Sequence, residues 1–142
     1  MSEISDTLLV AVAAQLTGQL IKVVLHSVRA RSLQWHYFVN AGGFPSAHSA
    51  FSTALLVGIA FRSGLDSDLF AVAAVFSAIV VYDAYRLRGA VQNQAKMLNK
   101  ILRERGDPEV SELSGHSLAE IIVGVILGAT IAAVYAVTVG AP

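Results

Sequence analysis

Apolar residues run along this chain in four blocks, roughly 7–28, 46–62, 69–85 and 118–139, separated by polar breaks. At about 1.5 Å of rise per residue, the first and last blocks are long enough to cross a hydrocarbon core of about 30 Å as helices. The middle two sit at the short end of the spanning range and carry Ser and Thr. Their circumference still decides for lipid: the stretch LFAVAAVFSAIVV (69–81) holds a single serine, whereas a helix of a soluble protein keeps a polar face. A lone strand in lipid leaves its backbone hydrogen bonds unmade, so the blocks are helices. The pattern predicts an all-α integral membrane bundle with four transmembrane helices, a single domain over 1–142.

One long polar segment, 86–117, lies between the third and fourth blocks. Within it, Val91, Ala95, Leu98, Ile101 and Leu102 recur at three- and four-residue steps, with Lys96, Asn99, Lys100 and Arg103 elsewhere on the circumference. This spacing predicts an amphipathic interfacial helix lying on the membrane surface, or against a partner protein, and ending near Gly106-Asp107-Pro108.

Composition agrees with lipid as the solvent: 55% of residues are apolar and 14% charged, and the mean hydropathy is +0.63. Ten basic residues balance ten acidic ones, so no cationic face tracks a phosphate backbone and nucleic-acid binding is excluded. Without cysteine there is no disulfide framework and no thiolate chemistry. No Lys or Arg precedes Leu8, so the first block lacks the charged start of a signal peptide and is expected to be retained. With four spans, the first and third connections share one side. They hold Arg29, Arg31, Arg86, Arg88, Lys96, Lys100, Arg103 and Arg105, eight of the ten basic residues. The positive-inside rule makes that side cytoplasmic, with both termini on the opposite face.

The polar residues inside and beside the blocks cluster at this same side. Lys22, His26 and Arg29 stand at i, i+4 and i+7, on one helix face. Gly42-Gly43-Phe44-Pro45-Ser46-Ala47-His48-Ser49 opens the second block; Tyr82, Asp83, Arg86 and Arg88 close the third; Gly115, His116 and Glu120 open the fourth. One polar pocket at the interface accounts for the clustering. Its chemistry is directed at an anion: Lys22, Arg29, Arg86 and Arg88 supply positive charge. Pro45 at a first helical position leaves the amides of Ser46 to His48 to point at an oxyanion. His116 with Glu120 at i+4 suits a nucleophile or base oriented by a carboxylate, and His48 suits a general acid.

These pieces resemble the type 2 phosphatidic acid phosphatase and vanadium haloperoxidase superfamily, most closely its short divergent branch. Lys22 and Arg29 have the K-x6-R spacing of the first motif, Pro45-Ser46-Ala47-His48 is similar to PSGH, and His116 with Glu120 is similar to H-x3-D. GGFPSAHSA (42–50), YDAYRLR (82–88), QAKMLN (94–99) and ELSGHSLAE (112–120) resemble the divergent branch in particular. The resemblance implies a phosphatase without metal or other cofactor, acting on a lipid phosphate monoester or a prenyl diphosphate. His116 would attack phosphorus, Glu120 would orient it and His48 would protonate the leaving oxygen. Lys22, Arg29, Ser46 and nearby amides would hold the phosphate.

This chain departs from the superfamily where Val110 replaces the Arg six residues before the histidine, so Arg88 or Arg86 would stand in for it. Ala47 replaces a Gly and Ala30 a Pro. Four spans against the usual six imply a homo-oligomer, in which a second copy supplies the missing helices.

Plainer readings stand beside these. His26 and His36 are interfacial anchors, Lys22 snorkels to the headgroups, and Arg29 and Arg31 serve the positive-inside bias. Asp83 pairs with Arg86, and Gly124 and Gly128 form a helix contact. Against the phosphatase stand a non-catalytic protein that binds anionic headgroups or partners through the same pocket, and, less supported, an ion or proton conductor.

Overall fold

The computed structural model describes residues 5–39, 43–110 and 117–140, apart from the side chains at 87 and 88. Its elements are four α-helices, α1 (Asp6–Ala30), α2 (Ala47–Ser63), α3 (Asp68–Arg105) and α4 (Leu118–Val139), with a 3-10 turn at Trp35–Phe38. All four begin at a serine N-cap, and in α2, α3 and α4 the serine side chain closes the cap. Ser46 accepts from the Ser49 amide, Ser67 from Phe70 and Ser117 from Glu120, each satisfying a donor that the first helical turn leaves open. Glycines stop α2 and α3: Gly64 and Gly106 take φ of 82° and 74°, which a side chain resists.

The chain runs up and down, and α2 packs against each of the other three helices. What brings α2 to the centre is the smallness of its faces. Ser46, Ala50 and Ala54, four residues apart, are 0% exposed, and Gly124, Gly128 and Ala132 of α4 repeat the same step in parallel. A methyl group at Gly124 would overlap the Ser46 carbonyl oxygen, and one at Gly128 the Ala50 carbonyl. On the α1 side, a Cβ at Gly18 would come within 3.2 Å of Ala47 Cα, and one at Gly58 within 2.8 Å of Thr7 Cγ2. Small residues let backbones approach and gather dispersion energy, the main attraction between helices in lipid. Val10, Ala11, Ala14, Ala54 and Ala132 form the core, with Phe51, Leu55 and Tyr135 packed around it.

Toward α3 the glue is polar. The Ser77 hydroxyl donates to Ser52 Oγ at 3.3 Å, Ser52 Oγ donates to the Ser49 carbonyl at 3.4 Å, and Ser49 Oγ meets Ser46 Oγ at 2.9 Å. These hydroxyls are at most 5% exposed, so each one's partner is another serine or the α2 backbone.

Among the described residues, three helices, α1, α3 and α4, are long and apolar enough to cross a membrane. At 17 residues, or about 25 Å, α2 lies at the short end of the spanning range, and its serine face is covered by its neighbours. One expectation is corrected: no separate interfacial helix follows the third block. The two are one helix of 38 residues, because no proline interrupts 68–105 and the lone Gly89 is tolerated within a helix. The stop at Gly106 falls where the sequence places it.

Candidate functional site

Three elements meet at one end of the bundle: the C-terminal half of α1, the first turn of α2 and the first turn of α4. A backbone hydrogen bond ties the last two together, the Ser46 N–H donating to the Glu120 carbonyl at 2.9 Å. Lys22 lies here, 1% exposed. A Cβ on Gly43 would stand 3.2 Å from Lys22 Cδ and 3.5 Å from His26 Nε2, and Gly43 has φ of 102°. The lysine is therefore enclosed by backbone that only glycine accommodates. A snorkelling lysine keeps its ammonium in water; this one does not.

One turn on, His26 stacks on Tyr37 of the 3-10 turn, with ring centroids 3.7 Å apart and planes 8° apart. His36 packs obliquely on the same tyrosine at 4.2 Å. Lys22, Arg29, His36 and Glu120 all lie within electrostatic reach of His26. Arg29 is exposed in the last turn of α1, and His48 is half-buried in the first turn of α2.

The oxyanion cradle expected of the PSAH turn is corrected in two respects. Helix α2 begins at Ala47, so Pro45 precedes the N-cap instead of occupying the first helical position. The Ser46 amide is already donated to Glu120, and its buried hydroxyl holds the Ser49 amide and hydroxyl.

Glu120 likewise has a structural role. Its Oε2 accepts from the Ser117 amide at 2.9 Å while Ser117 Oγ accepts from the Glu120 amide, a reciprocal capping box. His116 lies outside the described residues, as do Gly42, Gly115 and the side chain of Arg88.

Arg86 is exposed on α3 beside Tyr85 and Gln92. Among the described residues α3 does not pack against α1, so the structure does not bring Arg86 to Lys22 and Arg29. The expected Asp83–Arg86 pair does not form either. The ion pair present among the described residues joins Arg103 and Glu109.

That pair belongs to a feature the sequence reading missed. Beyond Gly106 the chain reverses along α3. Asn99 Nδ2 donates to the Val110 carbonyl at 2.9 Å, and the Val110 amide donates to Asn99 Oδ1 at 2.8 Å. Four residues further along α3, Arg103 Nε and Nη2 donate to the two Glu109 oxygens at 2.6 and 2.8 Å. Asn99 is 2% exposed. The Arg103 guanidinium holds the Glu109 carboxyl below the ordinary carboxylate range. The pair's contribution is therefore present above that range and fades only as pH falls through the lowered value. The signal for this clasp was a lone Asn between Leu98 and Lys100, about two turns before a Gly-Asp-Pro reversal.

Gly43→Ala is expected to force Lys22 aside and strain the backbone by about 1–3 kcal/mol. Thermal denaturation in detergent should register a lower midpoint, and an unchanged one would show that Lys22 has room to yield.

Comparison with known proteins gives one family and one relative. Residues 4–131 match the model of the divergent PAP2 family. An uncharacterized membrane protein of Bacillus subtilis (strain 168), YuiD, is 35% identical over 138 residues, covering 85% of this chain and 87% of that one. No solved structure matches.

Proposed function

Since this membrane protein belongs to the divergent PAP2 family, we propose that it is a phosphatase, hydrolysing a lipid phosphate monoester or a prenyl diphosphate at the cytoplasmic leaflet. The observation that carries the reading is Lys22, an ammonium 1% exposed, at the end where α1, α2 and α4 converge. A cation in a poorly solvated site attracts a phosphate far more strongly than one in water, and preorganised charge of this kind is what phosphoryl transfer needs most. Arg29, two turns further along the same helix face, adds a second cation and a fork suited to phosphate oxygens.

In this mechanism an imidazole nitrogen of His116 attacks phosphorus as the bond to the leaving oxygen breaks. The imidazolium of His48 gives that oxygen its proton. Neutral His48 then takes a proton from water, whose oxygen attacks the phosphohistidine and releases phosphate. Glu120 contributes by fixing the helix start next to His116.

The test is phosphate release from phosphatidic acid and from a prenyl diphosphate by purified protein in mixed micelles containing a chelator. Release that vanadate suppresses is the expected result, since vanadate mimics pentacoordinate phosphorus. No release across both substrates would overturn the proposal.

A second reading is favoured by the capping roles of Ser46 and Glu120 and by Val110 at the third-motif position: a protein that binds anionic headgroups without turning them over. Saturable binding of phosphatidic acid without phosphate release would select it.

A further inference from the structure

Gln19 lies one turn before Lys22 on α1 and is 9% exposed. Its Oε1 is buried and accepts no hydrogen bond among the described residues. The buried serines Ser46, Ser49 and Ser52, by contrast, hydrogen-bond to one another or to the α2 backbone. An enclosed acceptor without a donor is costly to keep, and neither the packing nor the mechanism given above uses this one.

Its position joins it to the candidate site. Residues three apart are neighbours on a helix surface, so the carboxamide and the Lys22 side chain leave α1 side by side. The residue before it, Gly18, packs so closely on α2 that a Cβ would come within 3.2 Å of Ala47 Cα. This turn of α1 is therefore level with the first turn of α2, which begins at Ala47. Three residues of rise set Gln19 about 4.5 Å further than Lys22 from that end of the bundle.

A lipid phosphate held by Lys22 extends its own carbon backbone in that direction, from the headgroup level toward the tails. Its first polar group beyond the phosphate ester is the substituent on the neighbouring carbon. A free hydroxyl there can donate to Gln19 Oε1, whereas an acyl ester brings only acceptors and a prenyl chain brings neither.

We propose that Gln19 is a specificity-determining residue that accepts a hydrogen bond from a hydroxyl on the carbon beside the phosphate-bearing one. The favoured ligands are then lipid phosphate monoesters with a free vicinal hydroxyl. The inference rests on that part of the phosphatase reading in which Lys22 binds a lipid phosphate.

The test uses 1-oleoyl lysophosphatidic acid and its 2-deoxy analogue, which differ by that one hydroxyl. Equilibrium binding and kcat/KM are measured for both in mixed micelles, with wild type and with Gln19→Met, a side chain of similar length without the acceptor. Wild type should favour the hydroxyl-bearing lipid by about tenfold or more, and Gln19→Met should treat the two alike within about twofold. Ligand-free Gln19→Met should unfold at the same temperature as wild type or higher, because an apolar group replaces an unpartnered acceptor.

Equal binding of the two lipids by wild type, or a preference that Gln19→Met retains, overturns the role. A lower unfolding midpoint for ligand-free Gln19→Met overturns it too, since the carboxamide would then be held without any lipid. If wild type prefers the hydroxyl in binding but releases no phosphate, the phosphatase reading fails and the role of Gln19 stands. If neither lipid binds, both fall.

Discussion

Replacing His116 by alanine is expected to abolish phosphate release, whereas His48→Ala slows it by about 10² to 10⁴-fold. The two separate because the first removes the atom that attacks phosphorus and the second removes only a proton donor. An aryl phosphate, whose leaving phenolate needs no proton, should recover most of the lost rate in His48→Ala and none in His116→Ala. Steady-state release with both substrate types, on protein checked for an intact helical circular dichroism spectrum, measures this. Equal rescue in both variants would refute the assignment of roles, and undiminished release by His116→Ala would end the phosphohistidine mechanism.

The second large effect concerns stability. Gly124→Ala and Gly128→Ala should each destabilise the bundle by about 1–3 kcal/mol, because the added methyl meets a carbonyl oxygen of α2 with no flexible side chain to move aside. Leucine at either position should prevent α2 and α4 from packing. Gly89 supplies the control. It is helical, and a Cβ there meets nothing within 4 Å, so Gly89→Ala should stabilise by about 0.5–1 kcal/mol. Chemical or thermal unfolding in detergent would show the opposite signs; a tolerated Gly128→Ala would mean that the α2–α4 approach is looser than the structure has it.

Several of these features could be read from the chain. Gly124 and Gly128 announce a helix contact by their four-residue step, and the stop at Gly106 follows from Gly-Asp-Pro. The gathering of Lys22, His26, Ser46 and Glu120 at one end follows from placing apolar blocks across a slab.

Other features could not be read, for identifiable reasons. Whether a short serine such as Ser46 faces a ligand or caps its own helix depends on a backbone hydrogen bond to Glu120, which leaves no periodicity. Asn99 grips a main chain, so its partner's side-chain identity carries no clue. The boundary between 85 and 86 separates apolar from polar residues, yet nothing in the backbone breaks there. Polarity changes along α3 while the helix continues.

The serine face of α2 bears on how the protein is made. Ser49 and Ser52 find their partners within α2 and on Ser77 of α3, but the Ser46, Ala50 and Ala54 edge is closed by α4, which leaves the ribosome after α1, α2 and α3. Until that helix arrives, α2 has one side turned to lipid that offers its small residues little to pack against. The packing of α2 is therefore completed only once α4 has been made, and a nascent chain lacking α4 leaves the Ser46, Ala50 and Ala54 edge uncovered.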